Sequence, residues 1–120
     1  MSRVLIVDNS PSMRQMVKFT IAGSSNEVVE ATQGEDALIQ AKRDQFDLII
    51  SEINMPKMGG IEMIKLLRQL PNYKMTPILI LTTESSAAMK DSARLAGANG
   101  WITKPFDPDR LVETIRQVIG

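Results

Sequence analysis

The sequence predicts an α/β fold, a parallel β-sheet with helices on both faces, and three observations support it. Val4-Leu5-Ile6-Val7, Leu48-Ile49-Ile50 and Ile78-Leu79-Ile80-Leu81 are short, almost continuous apolar runs bounded by turn residues, the pattern of strands buried on both faces. Segments with apolar residues at helical spacing separate them. Strand and helix alternate five times, with no linker, low-complexity segment or internal repeat, as a parallel sheet with crossover helices requires.

Val4 to Val7 forms the first strand and ends in Asp8-Asn9. Ser10-Pro11 supplies a cap followed by proline at the first helical position, and Met13, Met16, Val17, Thr20 and Ile21 recur at helical spacing up to Gly23. Val28 and Val29, before Ala31 and Thr32, make a short strand whose flanking glutamates place it near the sheet edge. Gly34 opens a helix with a narrow stripe of Ala37, Leu38 and Ala41. The third strand runs from Phe46 into Glu52, after which the chain turns through Asn54-Met55-Pro56 and Gly59-Gly60. Ile61, Ile64 and Leu67, widened by Met63, Leu66 and Leu70, define the next helix, and Pro71 falls just past its end.

Pro77 precedes the fourth strand, which finishes in Thr82-Thr83-Glu84. Ser85 or Ser86 caps a helix with Ala87, Ala88, Met89, Ala93 and Ala96 to bury before Gly97. Small side chains bury little apolar area, so this helix is expected to be loosely held. Gly100-Trp101-Ile102-Thr103 is the last strand and leads into Lys104-Pro105-Phe106. Asp107-Pro108 repeats the cap-then-proline signal, and Leu111, Val112, Ile115, Val118 and Ile119 mark an amphipathic helix to the C-terminus.

The 120 residues suit one domain with its own core and no output domain. The chain has neither cysteine nor histidine, which removes disulfides, thiolate zinc sites, cysteine nucleophiles and the commonest general base. Any chemistry falls to carboxylates, hydroxyls, lysine and backbone amides. Fourteen basic residues balance fourteen acidic ones, so no global field favours nucleic acid or an anionic membrane. No apolar run reaches transmembrane length, and no signal-peptide pattern precedes Val4, so the expectation is a soluble cytoplasmic protein.

Parallel strands align their carboxyl ends, and ligands bind at that edge in open α/β sheets. Asp8 with Asn9, Glu52 and Thr82 lie at strand ends, and Lys104 follows the last strand. Each alone has a plain structural explanation: a helix cap for Asp8, a solvated loop for Glu52, a satisfied local amide for Thr82, a surface lysine for Lys104. Their joint placement points instead to one site. Two carboxylates there suit a hard cation that keeps its waters, Mg²⁺ rather than Zn²⁺, and a lysine and a hydroxyl would complement a bound anion.

Val7-Asp8-Asn9-Ser10, Glu52-Ile53-Asn54-Met55-Pro56 with Gly59-Gly60, Leu81-Thr82-Thr83-Glu84 and Lys104-Pro105-Phe106 resemble, in order and spacing, the receiver domain of bacterial two-component response regulators. The resemblance covers essentially the whole chain and is to the single-domain, chemotaxis (CheY-like) type. It implies a flavodoxin-like (βα)5 fold with sheet order 2-1-3-4-5. It implies signalling by phosphorelay rather than enzymatic turnover, since such receivers catalyse only their own phosphoryl transfer and hydrolysis. Carried over residue by residue, Glu52 falls at the phosphoacceptor position, and Thr82 and Lys104 would contact the phosphoryl oxygens. Mg²⁺ would be held by Asp8, Asn9, Glu52 and the backbone carbonyl of Asn54, and Trp101 stands at the switch aromatic. The implied partners are a histidine kinase or its phosphotransfer domain and a downstream protein. The latter would bind the face formed by the helix from Ser85 to Leu95, the Trp101 strand and the helix from Pro108, with Lys90, Arg94, Lys104 and Arg110 giving it basic character. Neither membrane insertion nor direct nucleic-acid binding is implied.

Two departures matter more than the matches. Asn9 stands where the family usually has a second acid, and Glu52 where it has an aspartate. Counting Asp8, Asn9, Glu52 and Lys104, the site carries a formal charge of −1, against −2 for the family pattern, so weaker Mg²⁺ binding is expected, with Asn9 acting through water. The extra methylene of Glu52 adds roughly 1.5 Å of bond length. A misplacement of about 1 Å in an in-line attack can cost on the order of 100-fold, so phosphorylation of Glu52 is expected to be poor. Its charge instead reaches toward Thr82 and Lys104, a partial imitation of the phosphorylated state. Thr83, where Ala or Gly is commoner, narrows donor access or has no effect. A phosphorylation-independent pseudo-receiver, natural or engineered, is the alternative. A flavodoxin-like carrier or Mg²⁺ phosphohydrolase ranks third, because no glycine-rich cradle follows the first strand and no insertion builds a substrate pocket.

Overall fold

The computed structural model describes residues 2–22 and 26–119. The elements are β1 (Arg3–Val7), α1 (Pro11–Ala22), β2 (Glu27–Ala31), α2 (Gly34–Arg43), β3 (Leu48–Ser51), α3 (Gly60–Gln69), β4 (Ile78–Thr82), α4 (Ala87–Ala96), β5 (Gly100–Thr103) and α5 (Pro108–Ile119). A single 3-10 turn, Pro71–Tyr73, follows α3. The strands form one sheet in the order β2-β1-β3-β4-β5, every pair parallel. This is the flavodoxin-like arrangement, with β2 at one edge as its glutamates predict. The Gly23 stop signal lies outside the described residues.

Strand residues alternate between two apolar cores, one on each face. Val4, Ile6, Leu48, Ile50, Leu79 and Leu81 pack with Val17, Ile21, Leu111 and Ile115 of α1 and α5. Leu5, Val7, Ile49, Ile78 and Ile80 pack on the other face with residues of α2, α3 and α4. Because successive side chains point to opposite faces, only a continuous apolar run can feed both cores.

The capping signals operate. The Ser10 hydroxyl accepts from the Met13 amide at 3.3 Å, the Ser86 hydroxyl from Met89 at 3.2 Å, and the Asp107 carboxylate from Asp109 at 3.0 Å. Four apolar expectations are corrected, one of them Ile119, which is exposed at the C-terminal end of α5. Met16 is exposed on α1, where Val17 and Ile21 occupy the buried line. On α4, Ala87 and Ala88 are exposed and Ala93 alone is fully buried, because the helix meets the domain along one narrow line.

Gly60 shows how tightly α3 seats against β3. A Cβ there would lie 2.9 Å from Ile53 Cα and strike the Glu52 carbonyl, and the Gly60 amide donates to the Ile53 carbonyl at 2.9 Å. The Gly59-Gly60 pair, read from sequence as turn chemistry, therefore includes a residue whose missing side chain lets the chain pass behind Glu52.

Candidate functional site

The two-residue period explains why the site assembles. Val4 and Ile6, like Leu48 and Ile50, face the α1/α5 core, and Asp8 and Glu52 continue that alternation one step beyond the strands. Val7 pairs with Ser51, and the Glu52 amide donates to the Val7 carbonyl at 2.9 Å, so the two carboxylates become neighbours. Ile102 of β5 faces the same core, and Lys104 follows it by two. The Lys104 amide donates to the Thr82 carbonyl at 2.8 Å, fixing where its side chain starts.

Lys104 Nζ lies 2.9 Å from Asp8 Oδ2 and 2.8 Å from Glu52 Oε1. All three side chains are at most 10 % exposed, so this is a buried ion triad rather than a surface pair. Glu52 Oε2 accepts from the amides of Ile53 at 2.7 Å and Asn54 at 3.2 Å, and Asp8 Oδ1 from Ser10 at 2.9 Å. Every carboxylate oxygen thus has a donor. Burial pushes the Glu52 carboxyl upward, but the Lys104 ammonium, the Thr82 hydroxyl and the two amides outweigh it and hold the group below its ordinary value. Burial likewise pushes Lys104 down, and hydrogen bonds to Glu52 and Asp8 more than compensate, raising it. Both are charged at neutral pH.

Of the residues predicted for the site, Asp8, Glu52, Thr82 and Lys104 come together, and Thr82 is wholly buried. Asn9 is exposed where the chain leaves β1 for α1, a position compatible with the water-mediated role expected of it. Asn54 contributes its amide to Glu52 and is otherwise exposed. Lys104 leaves the basic surface expected of it, because its ammonium is drawn inward by two carboxylates. Trp101 is half-buried against the α2–α4 core, and its indole N–H donates to the Glu84 carbonyl at 3.1 Å.

Two contributors escaped sequence reasoning. Glu84 ties the loops together: its amide donates to Thr82 Oγ1 at 3.3 Å, its carbonyl accepts from Trp101, and its carboxylate accepts from Asn54 Nδ2 at 3.5 Å. Arg14 donates to the Asp8 carbonyl at 2.7 Å and to Glu30 Oε1 at 2.9 Å, clamping the end of β1 to β2. The only sequence hint for Arg14 was its place one turn after the Ser10 cap.

Comparison with known proteins agrees with this architecture. The family model of the response regulator receiver domain matches residues 4–116. The chemotaxis protein CheY of Thermotoga maritima is 40% identical over 118 residues, covering 97% of this chain and 96% of its own. Crystalline chemotaxis protein CheY4 of Vibrio cholerae superposes with a TM-score of 0.94 at 47% identity, covering 98% of both chains. The receiver domain of a Pseudomonas aeruginosa sensor histidine kinase, determined with a magnesium ion coordinated in its active-site cleft, shares the fold at a TM-score of 0.92 and 23% identity, over 99% of this chain and 98% of that one. With the family model spanning nearly all of the described chain and CheY proteins among its relatives, this chain belongs to the response regulator receiver domain family and is CheY-like.

Proposed function

We propose that this chain is a two-component signalling receiver whose output state is partly preset by Glu52 and which receives phosphoryl groups poorly. The observation that carries the proposal is the 2.8 Å contact between Glu52 Oε1 and Lys104 Nζ. At the acceptor position the carboxylate is already engaged with the lysine that a phosphoryl oxygen would seek. Glu52 Oε2 accepts from two amides and Oε1 from Lys104, so an in-line attack on phosphorus would have to give up or reorient these bonds. A buried Thr82 and an inward Trp101 fastened to the Glu84 carbonyl support the preset state. The imitation is incomplete, because a carboxylate offers one charge and two oxygens where a phosphoryl group offers nearly two charges and three oxygens.

Incoming signal would come from a histidine kinase or a phosphotransfer domain, and output would leave through α4, β5 and α5. A cleft of about 240 Å³ between α4 and β5, with Ala93, Ala98 and Trp101 on its floor and Lys90 and Arg94 at its rim, supports that assignment of the partner face. Arg94 stands 3.7 Å from Asp91 and is well exposed, so it remains open to exchange for a partner's carboxylate.

For Mg²⁺, the residues in question are Asp8, Asn9, Glu52 and the Asn54 carbonyl. The donor set does not fit a divalent cation as it stands. Lys104 occupies the space between the two carboxylates, its ammonium 2.9 and 2.8 Å from them, and Asn9 adds no charge where a second acid would.

The test exposes the chain and its Glu52→Asp variant to a small phosphodonor with Mg²⁺, reading intact mass and Trp101 fluorescence. The unaltered chain is expected to gain no phosphoryl mass and the variant to gain it. Equal uptake by both would refute the reading of Glu52. If neither gains mass, the Asn9 or Thr83 departure is the dominant defect.

A further inference from the structure

We infer that the Lys104 ammonium is the resident cation of this site: it joins Asp8 and Glu52 in place of a divalent metal, so the switch loops hold their arrangement independently of Mg²⁺. The inference rests on the receiver reading above and specifies how its central site is regulated.

Three observations converge on it. First, the ammonium bridges one oxygen of each carboxylate at 2.9 and 2.8 Å, as a bridging cation must. Second, the amides of Ile53 and Asn54 take up Glu52 Oε2 and the Ser10 amide takes one lone pair of Asp8 Oδ1, which leaves a metal few free oxygen sites here. Mg²⁺ demands near-octahedral oxygen ligands and gives up its waters reluctantly, so it would have to break this network rather than complete it. Third, the lysine is held at its base as well as its tip, since its amide bonds the Thr82 carbonyl at 2.8 Å. Thr82 Oγ1 in turn accepts from the Glu84 amide and the Glu84 carbonyl from the Trp101 indole, so the lysine that supplies the cation is anchored beside the loops that hold Trp101.

Charge points the same way. Two carboxylates against one ammonium leave a single negative charge, and Asn9 adds none. A divalent ion entering beside the ammonium would leave a net positive charge in a nearly buried pocket. If the ammonium withdrew instead, it would lose two charge-assisted hydrogen bonds.

MgCl₂ alone is titrated into the unaltered chain by calorimetry, with Trp101 fluorescence and the thermal unfolding midpoint followed in parallel. Through the millimolar range all three signals are expected to stay flat. In Lys104→Met the two carboxylates lose their counter-ion, and Mg²⁺ is expected to bind at least about tenfold more tightly and to raise the unfolding midpoint. If Lys104→Met is unfolded without metal, recovery of fluorescence and cooperative melting on adding Mg²⁺ supports the inference.

Saturable Mg²⁺ binding by the unaltered chain at millimolar or lower concentration overturns it, whatever the variant does. So does a folded Lys104→Met that binds no more tightly than the unaltered chain, or an unfolded one that Mg²⁺ fails to restore. The phosphodonor experiment separates this inference from the reading beneath it. A chain that binds Mg²⁺ yet gains no phosphoryl mass overturns the resident cation and leaves the preset receiver standing. A chain that gains phosphoryl mass as readily as Glu52→Asp overturns the reading of Glu52 as a poor, preset acceptor.

Discussion

At residue scale the Lys104 triad and Tyr73 carry the sharpest consequences. Removing the ammonium leaves two carboxylates facing each other in a nearly dry site, and breaking such a buried pair costs about 3–5 kcal/mol. Lys104→Met is therefore expected to lower unfolding stability by that amount in metal-free buffer, measured by urea denaturation. Tyr73 supplies an independent alkaline reporter, being the chain's single tyrosine and fully buried. Its hydroxyl reaches the Ala41 and Asp44 carbonyls at 2.8 and 2.5 Å and accepts from the Phe46 amide at 3.2 Å. Burial raises its ionisation above the ordinary tyrosine value, with the Phe46 bond offsetting part of the rise. The folded chain thus keeps its proton longer than the unfolded chain. Below about pH 10 both states are protonated and this group adds no pH dependence; above it the unfolded state ionises first. Stability is expected to fall as pH rises from there through the folded-state value, with tyrosinate absorbance appearing late. Asp8, Glu52, Thr82 and Lys104 were legible in sequence because strand ends in a parallel sheet coincide by topology. Tyr73 was not, because it reaches the core from a three-residue turn with no periodicity to announce it.

At element scale α4 is anchored unevenly. Its N-terminal turn exposes Ala87 and Ala88, while its C-terminal end is held by Arg68 of α3. That guanidinium donates to the carbonyls of Tyr73 at 2.6 Å, Thr76 at 2.7 Å and Gly97 at 2.6 Å, and to Asn99 Oδ1 at 3.0 Å. Gly97 ends the helix at φ 122°, and a Cβ there would stand 2.7 Å from Arg68 Nε. Arg68→Met strips a charged donor from several carbonyls at once and is expected to cost at least about 1.5–3 kcal/mol. Gly97→Ala is destabilising both by its backbone angle and by pushing Arg68 aside. Because the two act on one contact, the double variant is expected to lose less than the sum of the singles in denaturant unfolding, and additivity would rule the shared contact out. Amide exchange should be faster in the first turn of α4 than in α3, whose Met63, Ile64 and Leu67 are buried. The loose packing of α4 was readable from its alanines. The pin was not, because an arginine serving backbone carbonyls has no partner residue in the sequence to reveal it.

At the scale of the whole molecule, the central strands belong to two cores at once, and this decides how the domain unfolds. Ile49 packs toward α2 and α3, while its neighbour Ile50 packs toward α1 and α5. The apolar runs made a doubly covered sheet legible, since a strand with one wet face would alternate with polar residues. Strand order was legible only through family resemblance, because apolar β3 and β4 look alike as sequence and nothing local says which one lies beside β1. Truncation of either isoleucine to alanine is expected to cost about 2–5 kcal/mol. Trp101, the single tryptophan, packs against the Ile49 side of the sheet. If the cores melted separately, Ile50→Ala would lower the denaturation midpoint of backbone circular dichroism while leaving the Trp101 fluorescence midpoint in place. A five-stranded parallel sheet cannot lose one covering layer without exposing the reverse of every strand that anchors the other. Both signals are therefore expected to move together in Ile50→Ala and in Ile49→Ala alike, with one cooperative transition in each; divergent midpoints in either variant would show that the two layers unfold independently.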